Sequence, residues 1–281
     1  MGMFDSTVGA IFIAVVLNTY LSGIVTYQYG LYWTGSTYIQ QLIDAVSALT
    51  IAGLCISDMF HSICVAYMGW IYAVESFGNP ANLINIFWPF PLSAIMMTFT
   101  ALTTQQFLIY RLHLLTSSLT LKPHLRLIPA IISTILSLTS LTAFAWGMTV
   151  GVKVWLAPSM MHLSEVNGLL TVWLTLEVVV DLVLAALLLA TLQSKGTGFK
   201  QSDRVLRRLI RLSVQTGLCT AIFALLCMIL WLTLPNTHWY LLFGLPISRV
   251  YTSTLLDTLL SRQRLRGMLN GSDTYVSFSP M

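Results

Sequence analysis

The sequence predicts an all-α polytopic membrane protein with seven transmembrane helices, its N-terminus outside and its C-terminus in the cytoplasm. Three observations carry that expectation. Of 281 residues, 56% are apolar and only 9% charged, against roughly 25% charged in a soluble domain. The mean hydropathy is +0.79. Apolar runs of the roughly 20 residues a spanning helix needs recur seven times, at about 7–29, 45–73, 86–110, 127–150, 167–193, 208–233 and 238–260. Finally, the basic residues fall almost entirely on one side of that pattern.

With seven spans, the loops after helices 1, 3 and 5 share a side with the C-terminus. Twelve of the 14 basic residues lie there: Arg111, Lys122, Arg126, Lys195, Lys200, Arg204, Arg207, Arg208, Arg211, Arg262, Arg264 and Arg266. Lys153 is opposite, and Arg249 is inside helix 7. Positively charged loops stay cytoplasmic, which fixes the orientation. Six or eight spans would scramble the asymmetry.

The elements follow in order. The first run, in MGMFDSTVGAIF, has no basic flank and no small-residue cleavage site, so it reads as a retained helix and not a signal peptide. Gly2 and Ser6 formally meet a myristoylation pattern, which an outside N-terminus makes accidental. Gly78-Asn79-Pro80 turns the chain between helices 2 and 3, and Pro235-Asn236 between 6 and 7. Pro89 and Pro91 open helix 3, where a missing N–H costs least. Pro246 falls inside helix 7, three residues before Arg249, and frees a carbonyl there. Trp33, Trp70, Trp88, Trp155 and Trp239 sit near span ends, as interface anchors do. Residues 1–266 form one domain, and 267–281 a short polar cytoplasmic tail. Asn270-Gly271-Ser272 lies in that tail and is not expected to be glycosylated.

Several functions are excluded or left without support. The net charge of +4 is spread over short loops, which gives no nucleic-acid surface. Cys55, Cys64, Cys219 and Cys227 all lie in apolar runs and read as packing groups, with no metal spacing. No P-loop, HExxH or GxSxG occurs, no cofactor is implied, and no internal repeat of the transporter kind is visible. A retinal protein needs a lysine in its last helix, and 238–260 holds none. The triplet that ends helix 3 in rhodopsin-like receptors is replaced by Ile109-Tyr110-Arg111-Leu112, and their helix 7 motif is absent.

Thr197-Gly198-Phe199-Lys200-Gln201-Ser202-Asp203 is followed by Leu209-Ile210, Thr216-Gly217-Leu218, Leu234-Pro235-Asn236, Pro246-Ile247-Ser248-Arg249-Val250-Tyr251 and Leu255-Leu256. These runs, with Phe77-Gly78-Asn79-Pro80, resemble a family of seven-helix proteins from mushroom-forming fungi catalogued as domain of unknown function 6534. Leu260-Ser261-Arg262 stands where that family often has Leu-Asn-x-Arg. The resemblance implies a seven-helix membrane protein and no established activity.

Chemistry is sought among ionisable residues inside the spans, because hydrocarbon tolerates them only with a partner or a wet cavity. Glu177 and Asp181 share a face of helix 5. Arg249, Ser253 and Asp257 share a face of helix 7. At about 1.5 Å per residue, Glu177 and Arg249 both sit roughly 15 Å deep, so they are the expected ion pair, either a polar floor under a cavity or a structural tie. Asp58 and His61 lie at i and i+3 on helix 2, in its outer half. They suit a metal site, a proton relay or a ligand hydrogen bond, or else a carboxylate orienting an imidazole; two ligands on one helix are too few to assert a metal. Asn18 is expected to make an interhelical hydrogen bond. Asp44, Gln105 and Gln106 read as helix-boundary residues. Met96-Met97, Ser133, Ser137, Ser140 and Gly147 read as packing.

Three functional classes stay open. The first is a receptor-like protein binding a small apolar ligand. The second is a membrane-embedded enzyme of the terpenoid-cyclase kind, with Asp58, Asp181 or Glu177 as catalytic acid. The third is a channel or proton-coupled carrier using the same charges as a relay. Expected partners are membrane lipid and a small apolar ligand, in the plasma membrane or an endomembrane. An enzyme requires a carboxylate inside its cavity, a receptor a pocket toward the outer side, and a carrier a continuous polar path.

Overall fold

The computed structural model describes residues 5–35, 45–77, 82, 85–119, 127–157, 159–193, 200–234 and 237–269. Among them, seven long helices carry the fold: α1 (Ala10–Gly35), α2 (Ala45–Trp70), α3 (Pro89–Leu119), α4 (Leu127–Leu156), α5 (Asn167–Gln193), α6 (Lys200–Thr233) and α7 (Leu241–Leu269). A wider turn of π type, Asp5–Gly9, leads into α1, another, Ile71–Glu75, extends α2, and a 3-10 segment, Met160–Val166, leads into α5. Among the described residues, five helical stretches are long and apolar enough to cross a membrane: Thr7–Gly35, Ala48–Glu75, Pro89–Ser117, Leu127–Leu156 and His162–Thr191. In α6 the apolar part is the shorter Gly217–Thr233.

Every expected helix is present, and α5 has the expected bounds. The others differ mainly at their ends. α3 runs to Leu119 and not 110, and α6 begins at Lys200 and not 208. A hydrogen-bonded backbone does not stop where its side chains become polar, whereas an apolar count does. The consequence is large for α3, since Gln105 becomes a mid-helix residue. α3 starts at Pro89 as expected, and Pro246 lies within α7. Leu269 ends α7, three residues into the expected tail. Gly78-Asn79-Pro80, Pro235-Asn236, Asp44 and the chain after Leu269 lie outside the described residues.

Each helix packs on its sequence neighbours, α7 closes against α1, and α3 reaches across to α5 and α7. Half of the most apolar window of α5 is buried, against 22% for α4. α5 is therefore interior, while α4 turns most of its surface outward. Large apolar side chains such as Phe12, Ile56, Ile63, Ile135 and Ile222 are exposed, as a lipid-facing surface requires.

α4 reaches its neighbours through glycine. A Cβ on Gly147 would stand 2.6 Å from Thr98 Cγ2 and 2.7 Å from Trp173 Cε2, and one on Gly151 2.5 Å from Ile95 Cγ1. Such distances are far inside van der Waals contact, so these two positions let α4 seat against α3 and α5.

Candidate functional site

Among the described residues, Arg249 is the largest side chain that is fully buried, and its five donors look to the bundle for acceptors. α7 places it against α1 and α2. Nη1 lies 2.7 Å from Asp58 Oδ1. Nη2 is 3.0 Å from the Asp58 carbonyl, 3.0 Å from Ser62 Oγ and 3.0 Å from His61 Nδ1. Nε donates to Asn18 Oδ1 at 3.3 Å. The second oxygen of Asp58 accepts from Tyr29 Oη at 2.9 Å. The charges of Arg249 and Asp58 cancel, and Asn18, His61, Ser62 and Tyr29 place further polar groups around the pair. Such geometry is what allows a dry ion pair to offset its desolvation.

The sequence expectation for Arg249 is corrected here: its partner is Asp58, not Glu177. Depth along a helix placed Glu177 level with Arg249, but depth says nothing about which helices are adjacent. α7 turns its Arg249 face to α1 and α2, and Asp58 meets it there. One turn further, Gln28 Nε2 donates to Ser253 Oγ at 3.0 Å and to Asp257 Oδ1 at 3.0 Å. The shared face of Arg249, Ser253 and Asp257 is therefore the α7–α1 seam. Asn18 makes the interhelical bond expected of it.

Glu177 and Asp181 form a second cluster. Gln105 Nε2 bridges them, at 2.6 Å from Glu177 Oε2 and 3.2 Å from Asp181 Oδ1. Tyr251 Oη donates to Asp181 Oδ2 at 2.7 Å and lies 3.4 Å from Glu177 Oε2. Thr220 Oγ1 donates to Asp181 Oδ2, and Trp173 Nε1 to Glu177 Oε1 at 3.2 Å. The Gln105 carbonyl oxygen accepts from Ser140 Oγ at 2.6 Å. Helices α3 to α7 all contribute. Among the described residues, every donor to these two carboxylates is neutral.

Gln105 is therefore no boundary residue, and Gln106, which accepts from Ser137 Oγ at 2.7 Å, is none either. Ser137 and Ser140 do more than pack, since they hold the two glutamines. Tyr29, Trp173, Thr220 and Tyr251 were not singled out from the sequence. For Tyr251 a signal existed: it lies two residues after Arg249, about 200° around the helix, facing the other cluster.

A cavity of about 70 Å³ opens near the end that bears the α2–α3, α4–α5 and α6–α7 connections. Phe90, Trp173, Trp231, Tyr240, Gly244 and His61 are among its lining, and every helix except α1 contributes. The indole N–H groups are committed elsewhere, Trp173 to Glu177 and Trp231 to Asn167 Oδ1 at 2.7 Å, so both rings offer apolar carbon. His61 and Trp173 connect the cavity to the two polar clusters. Among the described residues, no carboxylate is in its lining. No group of three or more metal-ligating side chains occurs among the described residues.

Residues 177–264 match the profile of a family of unknown function, DUF6534. The matched segment holds Glu177, Asp181, Thr220, Arg249 and Tyr251, and so contains both carboxylates of one cluster and the cation of the other. Asp58 and His61 lie outside it. No curated protein and no solved structure matches the chain.

Proposed function

We propose that this is a seven-span, receptor-like membrane protein, N-terminus outside, that binds a small apolar ligand in the cavity at the outer end of its bundle. The observation that carries this reading is the construction of the cavity: six helices converge on one aromatic-walled space, as small-molecule sites between helices do. The proposed orientation rests on the one-sided placement of Lys and Arg, and it puts the cavity on the outer side. Lipid is the surrounding partner, in the plasma membrane or an endomembrane.

The enzyme reading is weaker on one particular point. An acid catalyst must reach its substrate, but Asp58 is bound to Arg249, and Glu177 and Asp181 lie outside the cavity lining.

The test is native mass spectrometry of the purified chain, with and without Gly244→Val. A Cβ on Gly244 lies 3.4 Å from Cys227 Sγ, so an alanine-sized group fits and valine intrudes on the cavity. A small apolar molecule retained by the wild type and lost in the variant supports the proposal. Equal retention by both places the molecule elsewhere and overturns it.

A further inference from the structure

A second space lies at the opposite end of the bundle, where α3 ends, α4 begins and α5 ends. Gly147 and Gly151 seat α4 tightly on α3 and α5, but from Leu127 to Ser140 α4 has no glycine. Ile132 stands about 22 Å along the helix from Gly147, and there the three helices leave a groove of about 290 Å³. That is roomier than the ~150 Å³ that takes up benzene. Leu112, Ile132, Leu187 and Ala190 are among its lining.

Three hydroxyls also line the groove, and each is spent on its own helix. Thr116 Oγ1 donates to the Leu112 carbonyl at 2.8 Å, Ser133 Oγ to the Pro129 carbonyl at 2.8 Å and Thr191 Oγ1 to the Leu188 carbonyl at 2.7 Å. The walls therefore suit a hydrocarbon chain. The sequence that continues from the rim is basic. Lys122 and Arg126 fall between α3 and α4, Lys195 falls between α5 and α6, and neither connection contains a carboxylate. Arg126 is three residues from Pro129 of the lining and Lys195 four from Thr191, at most about 14 Å of extended chain. Covalent attachment alone thus keeps positive charge at this end. In the proposed orientation it is the cytoplasmic end, which faces the anionic leaflet.

We infer that the α3–α4–α5 groove binds an anionic phospholipid, with one acyl chain along the groove and the headgroup drawn to this end by its positive charge. A zwitterionic lipid offers the same chain without the second attraction. A second copy of the chain, lying in the same orientation, would bring like charges together. The inference is independent of the cavity at the other end.

The test is native mass spectrometry of the full chain released from nanodiscs holding equal amounts of phosphatidylglycerol and phosphatidylcholine with identical acyl chains. One nearby Lys or Arg is worth about fivefold in anionic-lipid binding, so the wild type is expected to retain phosphatidylglycerol over phosphatidylcholine by at least about that factor. Ala190→Trp is expected to abolish retention. Ala190 is exposed, so the ring fills the groove without entering the packed core. Leu189→Trp puts the same ring on the next exposed position of α5, outside the lining, and should retain the lipid. Equal retention of the two lipids by the wild type overturns the inference. So does phosphatidylglycerol retained by Ala190→Trp as by the wild type, or lost equally from both tryptophan variants. A lipid-free dimer makes the groove a protein interface and overturns it as well. Should Ala190→Trp fail to fold, Ala190→Leu takes its place, with a fall in retention expected and an unchanged level overturning the site.

Discussion

The guanidinium of Arg249 and the imidazole of His61 meet at 3.0 Å, Nη2 to Nδ1, and because a guanidinium only donates, the contact favours a bare Nδ1. Spectra of protein labelled with ¹⁵N-histidine are expected to show His61 as the Nε2–H tautomer. A resonance pattern with the proton on Nδ1 contradicts the geometry.

Removing Arg249 leaves Asp58 buried and unpaired. Arg249→Met is expected to cost about 3–5 kcal/mol, read as a large fall in melting temperature in detergent. Asp58→Asn in the same chain should recover much of that loss, because both charges are then gone. Glu177→Gln should recover none. The opposite ranking would restore Glu177 as the partner.

Glu177 and Asp181 share one bridging amide and, among the described residues, have no cation. Neutralising either relieves like-charge repulsion while losing part of the hydrogen bonding. Glu177→Gln is therefore expected to change stability by no more than about 1 kcal/mol. Tyr251→Phe removes the donor and nothing compensates, so a loss of about 1–3 kcal/mol is expected. Thermal melts of the two variants should differ in that order.

Glycine positions give a contrast free of charge effects. A methyl at Gly147 would collide with Thr98 and Trp173, while one at Gly23 of α1 meets nothing within 4 Å. Gly147→Ala is expected to destabilise by about 1–3 kcal/mol, and, by pushing Trp173, to weaken ligand binding. Gly23→Ala should be neutral or stabilising by up to about 1 kcal/mol. Equal melting temperatures for the two would argue against the tight α4 contact.

The helices were legible because their signal is additive: each apolar run sums many residues, and one misjudged end does not erase it. The polar clusters were only half legible. Asp58, His61, Glu177, Asp181 and Arg249 stand out because charge in an apolar run is conspicuous on its own. Their pairing was not, since it depends on the lateral order of helices, which a linear sequence does not carry. Gln105 was hidden by an early end assigned to α3, and Tyr251 by being neutral. The cavity was invisible, because a void is defined by where six helices do not meet.

The placement of Arg249 also bears on how the chain is made. Asp58 and its cation are 191 residues apart, and Tyr251, which serves both other carboxylates, belongs to the same last helix. At about 5–20 residues per second, Asp58 leaves the ribosome roughly 10–40 s before the residue that neutralises it. By the end of that interval the nascent bundle holds three acidic side chains, Asp58, Glu177 and Asp181, among apolar helices with α7 still missing. α7, made after the six helices it closes against, is thus the one that completes both polar clusters.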